Sequence, residues 1–259
     1  MGELIFVGLG LHDEKGITLR GLEEARAAEV VFAEFYTSAL LGTNLERLAS
    51  LLGKEIRQLT REQVEAGEDV LRAAATRRVA FLVAGDPMVA TTHVDLRLRA
   101  AARGIPTRVI HGVSILVAAA GILGLQAYKF GRTTTVPFSA PGFRPTSPLD
   151  PILENRRAGL HTLVLLDLRE DRTFLDAKEA LASLLAMAQA KGTEAFGPHT
   201  LVCVLSQVGS PNPRVICGTV AEVQTRDLGP PLHCLVVPGT LHFKEKEALI
   251  AFAGAPQDV

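Results

Sequence analysis

The 259 residues show no excess of charge of either sign: 27 Lys and Arg stand against 28 Asp and Glu, for a formal net charge of −1. A sequence-independent nucleic-acid binder needs a basic field to displace counterions, so that class is set aside, with room left for a local basic patch. Tryptophan is absent and aromatics make up 5%, yet 47% of residues are hydrophobic. That much apolar surface offsets the entropy of ordering and excludes intrinsic disorder. The longest uncharged apolar run of interest, 113–125, falls short of the ~20 residues that cross a bilayer. Residues 1–10 have no basic leader and carry Glu3, so they read as a strand and not as a signal peptide. Only three cysteines occur (Cys203, Cys217 and Cys234), with no CxxC. They read as reduced, buried, small apolar side chains, which points to the cytoplasm.

Several chemical signatures are missing. There is no Walker loop, HExxH or GxSxG, and no Cys/His spacing suits zinc. The seven histidines do not cluster along the chain. Metal and serine hydrolysis are therefore disfavoured, and no metal is expected.

What is present is an alternation of short apolar runs with helical patterns. Strands are expected at 4–7, 30–35, 55–59, 79–84, 107–110, 133–136, 160–166, 200–205, 214–217 and 234–237. Helices are expected from Thr18 to 29, over 45–52 between Asn44 and Gly53, from the capping-box spacing at Thr60 to about 76, and from Thr91 or Thr92 to 103. Further helices are expected at 114–123, 173–191, 219–226 and 243–253, and 140–151 reads as a Pro- and Ser-rich loop. Strands alternating with crossover helices imply an α/β class, mostly parallel in the first half. The short connections between the late strands allow antiparallel pairs. The best boundary lies within 111–131, giving an N-terminal α/β domain, 1–112, and a C-terminal α/β domain, 113–259.

Three strand ends carry candidate chemistry. Gly8-Leu9-Gly10-Leu11-His12-Asp13 lets backbone approach a ligand, but Asp13 stands where a dinucleotide fingerprint has its third glycine and would repel a pyrophosphate. Gly85-Asp86-Pro87 follows an apolar strand; Asp86 either accepts from ribose hydroxyls or an ammonium group, or forms an Asx turn or N-cap. His111-Gly112-Val113-Ser114 leads into a helix start, where free amides bind carboxylates. Glu34 and Tyr36 are polar groups at a further strand end, and neither is assigned a catalytic role.

These segments together resemble the diphthine synthase family of the tetrapyrrole-methylase superfamily. The likeness is carried by Phe6-Val7-Gly8-Leu9-Gly10-Leu11, Ala33-Glu34-Phe35-Tyr36-Thr37-Ser38, Gly85-Asp86-Pro87 with Val89-Ala90-Thr91-Thr92-His93, and Tyr128-Lys129-Phe130-Gly131. Gly159-Leu160-His161-Thr162-Leu163, Gly209-Ser210 with Asn212-Pro213, and Val237-Pro238-Gly239 with Leu241-His242 extend it over nearly the whole chain. The resemblance implies a two-domain fold with mixed sheets flanked by helices and a cofactor cleft between the domains. It implies a homodimer that uses S-adenosyl-L-methionine, releases S-adenosyl-L-homocysteine and needs no metal. The substrate it implies is the 3-amino-3-carboxypropyl-histidine of translation elongation factor two, methylated on its amino nitrogen to diphthine. Eukaryotic relatives also methylate the carboxylate, and the compact length favours the archaeal endpoint. Carried over position by position, the cofactor contacts are Leu11, Asp86, Val89, Ser114, Ile115, Leu166, Val208 and His233. Aromatic faces at Phe35 or Tyr36 suit a trimethylammonium product. Lys129, Arg132 and Arg144 are candidates for docking the protein substrate, or simply a solvated rim. A same-fold enzyme acting on a tetrapyrrole or RNA ribose, a NAD-dependent oxidoreductase and a non-catalytic binding module are the competing readings.

Overall fold

The first half is a succession of strands whose successive side chains are buried on both faces, the pattern of a sheet covered by helices on either side. A computed structural model describes residues 2–36, 38–140, 142, 145–169 and 171–259. The chain divides into two compact units, Met1–Ile115 and Leu116–Val259.

In the first unit β1 (Glu3–Gly8), α1 (Leu19–Ala27), β2 (Val30–Glu34), α2 (Leu45–Leu52), β3 (Ile56–Leu59), α3 (Arg61–Ala66), α4 (Glu68–Ala74), β4 (Arg78–Val83), α5 (His93–Ala102) and β5 (Thr107–Ile110) follow one another. The sheet has the order β3-β2-β4-β1-β5, and every pairing is parallel. Leu4, Phe6, Phe32, Val79 and Phe81 join one buried cluster, while Ile5, Val7, Val31, Ala80 and Leu82 join another. Thr18, Asn44 and Thr60 cap their helices as their spacing predicts, and Gly53 closes α2 in the left-handed conformation. The single helix expected from Thr60 to about 76 is two, because Gly67 takes φ +68 and ends α3 before α4 begins. Thr92 occupies the N-cap position of α5 without a side-chain cap.

The helix α6 (Ile115–Leu123) starts at the division. The second unit continues with β6 (Thr134–Val136), α7 (Leu149–Arg157), β7 (Thr162–Leu166), α8 (Ala177–Ala190), β8 (Leu201–Ser206), β9 (Arg214–Thr219), α9 (Val220–Thr225), β10 (His233–Val237) and α10 (Phe243–Ala253). Its sheet order is β6-β7-β10-β8-β9; β6 and β7 are parallel and the other pairs antiparallel. The expected loop at 140–151 gives way to α7, which starts at Leu149. Pro151 lies in the first helical turn, where no intrahelical N–H is needed, and Leu149, Ile152 and Leu153 are buried. Similarly α8 begins only at Ala177, because Asp176 caps it by accepting from the Lys178 amide.

Candidate functional site

The order β4-β1-β5 sets three carboxyl-end loops of the first unit side by side. The Gly85 N–H donates to the Gly10 carbonyl at 2.6 Å, and the Gly10 N–H donates to the Gly85 carbonyl at 3.2 Å. Within these loops, backbone approaches backbone most closely at Gly8 and Gly112. A Cβ on Gly112 would lie 2.3 Å from the Gly85 carbonyl oxygen, and one on Gly8 would lie 2.5 Å from the Gly112 nitrogen. Glycine is therefore required at both positions by close packing of backbone on backbone.

Asp86 is buried at the centre of these loops. Its Oδ1 accepts from the Met88 amide at 2.9 Å, and its Oδ2 lies 2.7 Å from His111 Nδ1. The local-turn reading offered by the sequence holds, and each carboxylate oxygen keeps a further lone pair that a donor could use. The His111 ring is exposed and acts as the outer partner of Asp86. Leu11, Val89 and Ile115 are half-buried around the same strand ends, and Ser114 is buried at the entry to α6. Five of the eight positions carried over thus belong to neighbouring loops of one unit.

The other three gather at one end of the second sheet. Leu166 ends β7, Val208 follows β8, and His233 starts β10, which runs antiparallel between them with His233 opposite Ser206. His233 Nε2 donates to the Gly229 carbonyl at 3.1 Å. Burial pushes the His233 pKa down, with Asp176, 3.7 Å away, opposing. The neutral ring then carries its one proton on Nε2 and leaves Nδ1 as an acceptor. Gln207, at φ +50, fixes the neighbouring turn by donating from its amide to the Leu232 carbonyl and from Nε2 to the Pro231 carbonyl. The first unit offers half-buried apolar side chains and one carboxylate, and the second, by itself, offers half-buried apolar side chains and a neutral imidazole. That chemistry fits an adenosyl thioether with hydroxyl and ammonium groups, and it contains no cationic cradle for a pyrophosphate.

Other motif residues serve the fold. Asp13 caps a short turn by accepting from the Lys15 amide. Glu34 is wholly buried and accepts from the Tyr36 amide at 3.0 Å, so its carboxylate does not reach solvent. Burial, and then the Glu34 charge, raise the Tyr36 phenol to about 12. Lys129 is not free for docking: its ammonium donates to the buried Glu245 carboxylate and to the Thr240 carbonyl. The same Glu245 accepts from the Gln126 and His242 amides and lies 3.0 Å from His161 Nε2, while His161 Nδ1 accepts from the Gly239 amide. Sequence reasoning missed Glu245, although the spacing from His242, which caps α10 with Glu245 as its capping-box partner, was the available signal. Arg132 is exposed, 3.8 Å from Glu154. Thr37 and Arg144 lie outside the described residues. Among the described residues no group of three His, Cys, Asp or Glu is placed to hold a metal ion, and no helix is long and apolar enough to cross a membrane.

The profile of the family described as Tetrapyrrole (Corrin/Porphyrin) Methylases matches residues 3–224. The diphthine synthase of Methanosarcina mazei is 46% identical over 261 residues, covering 99% of this chain and 98% of the relative. That of Methanosphaerula palustris is 48% identical over 252 residues, covering 97% and 98%. A crystal structure of diphthine synthase superposes with a TM-score of 0.90 at 37% identity, covering 98% of this chain and 97% of the other. One of a putative diphthine synthase from Entamoeba histolytica gives 0.87 at 33%, covering 99% and 100%.

Proposed function

This chain belongs to the diphthine synthase family of tetrapyrrole methylases, and on that premise we propose that it is an S-adenosylmethionine-dependent methyltransferase of diphthamide biosynthesis. Its acceptor is the amino nitrogen of the 3-amino-3-carboxypropyl-histidine of elongation factor two, methylated in succession to diphthine. It works as a cytoplasmic homodimer. The observation that carries the reading is the pair of strand-end clusters, Asp86 among the glycine loops of the first unit and His233 beside Leu166 and Val208 in the second. The competing NAD reading is disfavoured because the Asp13 and Asp86 carboxylates stand beside the glycines, where they would repel a pyrophosphate.

When bound, S-adenosylmethionine supplies an activated methyl group on a sulfonium leaving group. The chain's own contribution is binding, orientation and exclusion of water. Leu11, Val89 and Ile115 offer apolar surface, Asp86 accepts hydrogen bonds from hydroxyl or ammonium donors, and Leu166, Val208 and the neutral His233 supply the contacts of the second unit. An alkyl amine is mostly protonated at neutral pH and must lose a proton before each transfer, a loss favoured next to a cationic centre in a dry site. Glu34, being wholly buried, does not act as a solvent-linked base for that proton.

The test is transfer of labelled methyl from S-adenosylmethionine to elongation factor two carrying the aminocarboxypropyl group, beside the unmodified factor and RNA. Label on the modified factor alone is the expected result. Label on RNA, or none on any acceptor, overturns the reading.

A further inference from the structure

His93 opens α5 and is 1% exposed, with its ring packed against both Phe6 and Phe81 at centroid distances of 6.5 and 5.1 Å. Its Nδ1 lies 3.0 Å from the Pro87 carbonyl oxygen. A carbonyl only accepts, so the proton sits on Nδ1. Nε2 faces the buried Glu34 at 3.7 Å, beyond hydrogen-bond reach. Burial holds the imidazole pKa below its usual value, so the neutral ring has one N–H, and Pro87 receives it.

The bonded carbonyl belongs to the loop that carries Asp86 and Val89. Within that loop Ala90 takes φ +55, a conformation that costs a non-glycine residue about 1 kcal/mol and persists only where surrounding contacts over-determine it. The loop is pinned at its start by the Gly10–Gly85 pair. Further along, the His93 bond is the side-chain tie from α5 back to its middle. We propose that His93 is a positioning residue for cofactor binding: its Nδ1–H bond to the Pro87 carbonyl holds the loop in the form that presents Asp86 and Val89. This inference rests on the reading of those two residues as cofactor contacts.

Two amide variants of the full chain separate the two ring nitrogens. His93→Asn places its amide where Nδ1 was and keeps a donor for Pro87. His93→Gln places its amide where Nε2 was and loses that donor. Calorimetry with S-adenosylhomocysteine should give His93→Asn an affinity within threefold of the unaltered chain. His93→Gln should bind roughly tenfold more weakly, the loss of one such bond. Its KM for S-adenosylmethionine should rise by a similar factor, with kcat within threefold. Equal affinity of the two variants, whether retained or lost, overturns the proposal. Should either variant fail to fold, nitrogen-15 NMR of the unaltered chain decides: the Nδ1–H tautomer, with slower ring-proton exchange once S-adenosylhomocysteine is added, supports it. The Nε2–H tautomer, or no change in exchange, overturns it. If the unaltered chain does not bind S-adenosylhomocysteine, the cofactor reading itself falls and the positioning role falls with it.

Discussion

His161 Nε2 lies 3.0 Å from Glu245 Oε1, and neither side chain is more than 1% exposed. Because His161 Nδ1 already accepts from the Gly239 amide, the ring donates from Nε2 and stays neutral, and the charge opposite Glu245 is that of Lys129. One carboxylate thereby ties α10, the start of β7 and the turn before β6 into a single polar knot inside the second unit.

Glu245 should make stability fall in acid. Desolvation raises its pKa, but Lys129, the Gln126 and His242 amides and His161 together outweigh that and bring it to about 2. The folded value lies below the unfolded one, so the contribution is complete above about 4.5 and is lost as pH falls toward about 2. Glu245→Ala, which leaves Lys129 without its partner, should cost roughly 3 kcal/mol or more at pH 7. Glu245→Gln should flatten the dependence of the denaturation midpoint on pH between 2 and about 4.5. Urea titrations across that range check both.

Asp86→Ala removes a carboxylate whose two oxygens are oriented by Met88 and His111. Affinity for S-adenosylhomocysteine should drop roughly tenfold to a hundredfold, as for one or two hydrogen bonds to a charged group. His111→Ala removes only the exposed outer partner and should have the smaller effect. Titration calorimetry on both variants ranks them.

Gly112→Ala forces a Cβ to within 2.3 Å of the Gly85 carbonyl oxygen. The loops must part, at a cost of roughly 2 kcal/mol, and cofactor binding should weaken in the same variant. Gly53→Ala is the comparison: its φ is +67 and nothing lies within 4 Å, so it should cost only about 1 kcal/mol and leave binding intact. Thermal unfolding and calorimetry on the two variants give the contrast.

The cysteines should be silent in the native chain. Burial pushes the Cys234 thiol up to about 12, and burial together with Cys217 raises Cys203 well above the usual range. Cys203 and Cys217 stand directly opposite across β8 and β9, with sulfurs 2.9 Å apart. A disulfide-exchange reagent should find no reactive thiol at pH 8 and three after unfolding. A count of one would mean that the facing pair is bridged.

Much of the fold was legible because its signals are local. Asn44, Gly53, Thr60 and Thr219 mark helix ends through hydrogen bonds and left-handed turns made within a few residues. α7 was missed because Pro151 and the polar residues before it read as loop, while what fixes the helix is burial of Leu149, Ile152 and Leu153 against distant strands. The site was legible as motifs and not as roles. Nothing along the chain distinguishes Asp86, whose carboxylate reaches the exposed His111 ring, from Glu34, which is wholly buried beside His93. Lys129 looked like a free cation because its partner Glu245 lies far along the sequence.

β10 runs against both of its neighbours, and this places a condition on half of the proposed binding surface. His233 stands opposite Ser206, and Cys234 opposite Leu165. Sliding that strand by one position would carry the imidazole through to the reverse side of the sheet and set a thiol where it had been. If His233 is a contact as proposed, its presentation is inherited from strand alignment, and a variant that loosens the alignment should weaken S-adenosylhomocysteine binding while keeping every side chain of the proposed surface.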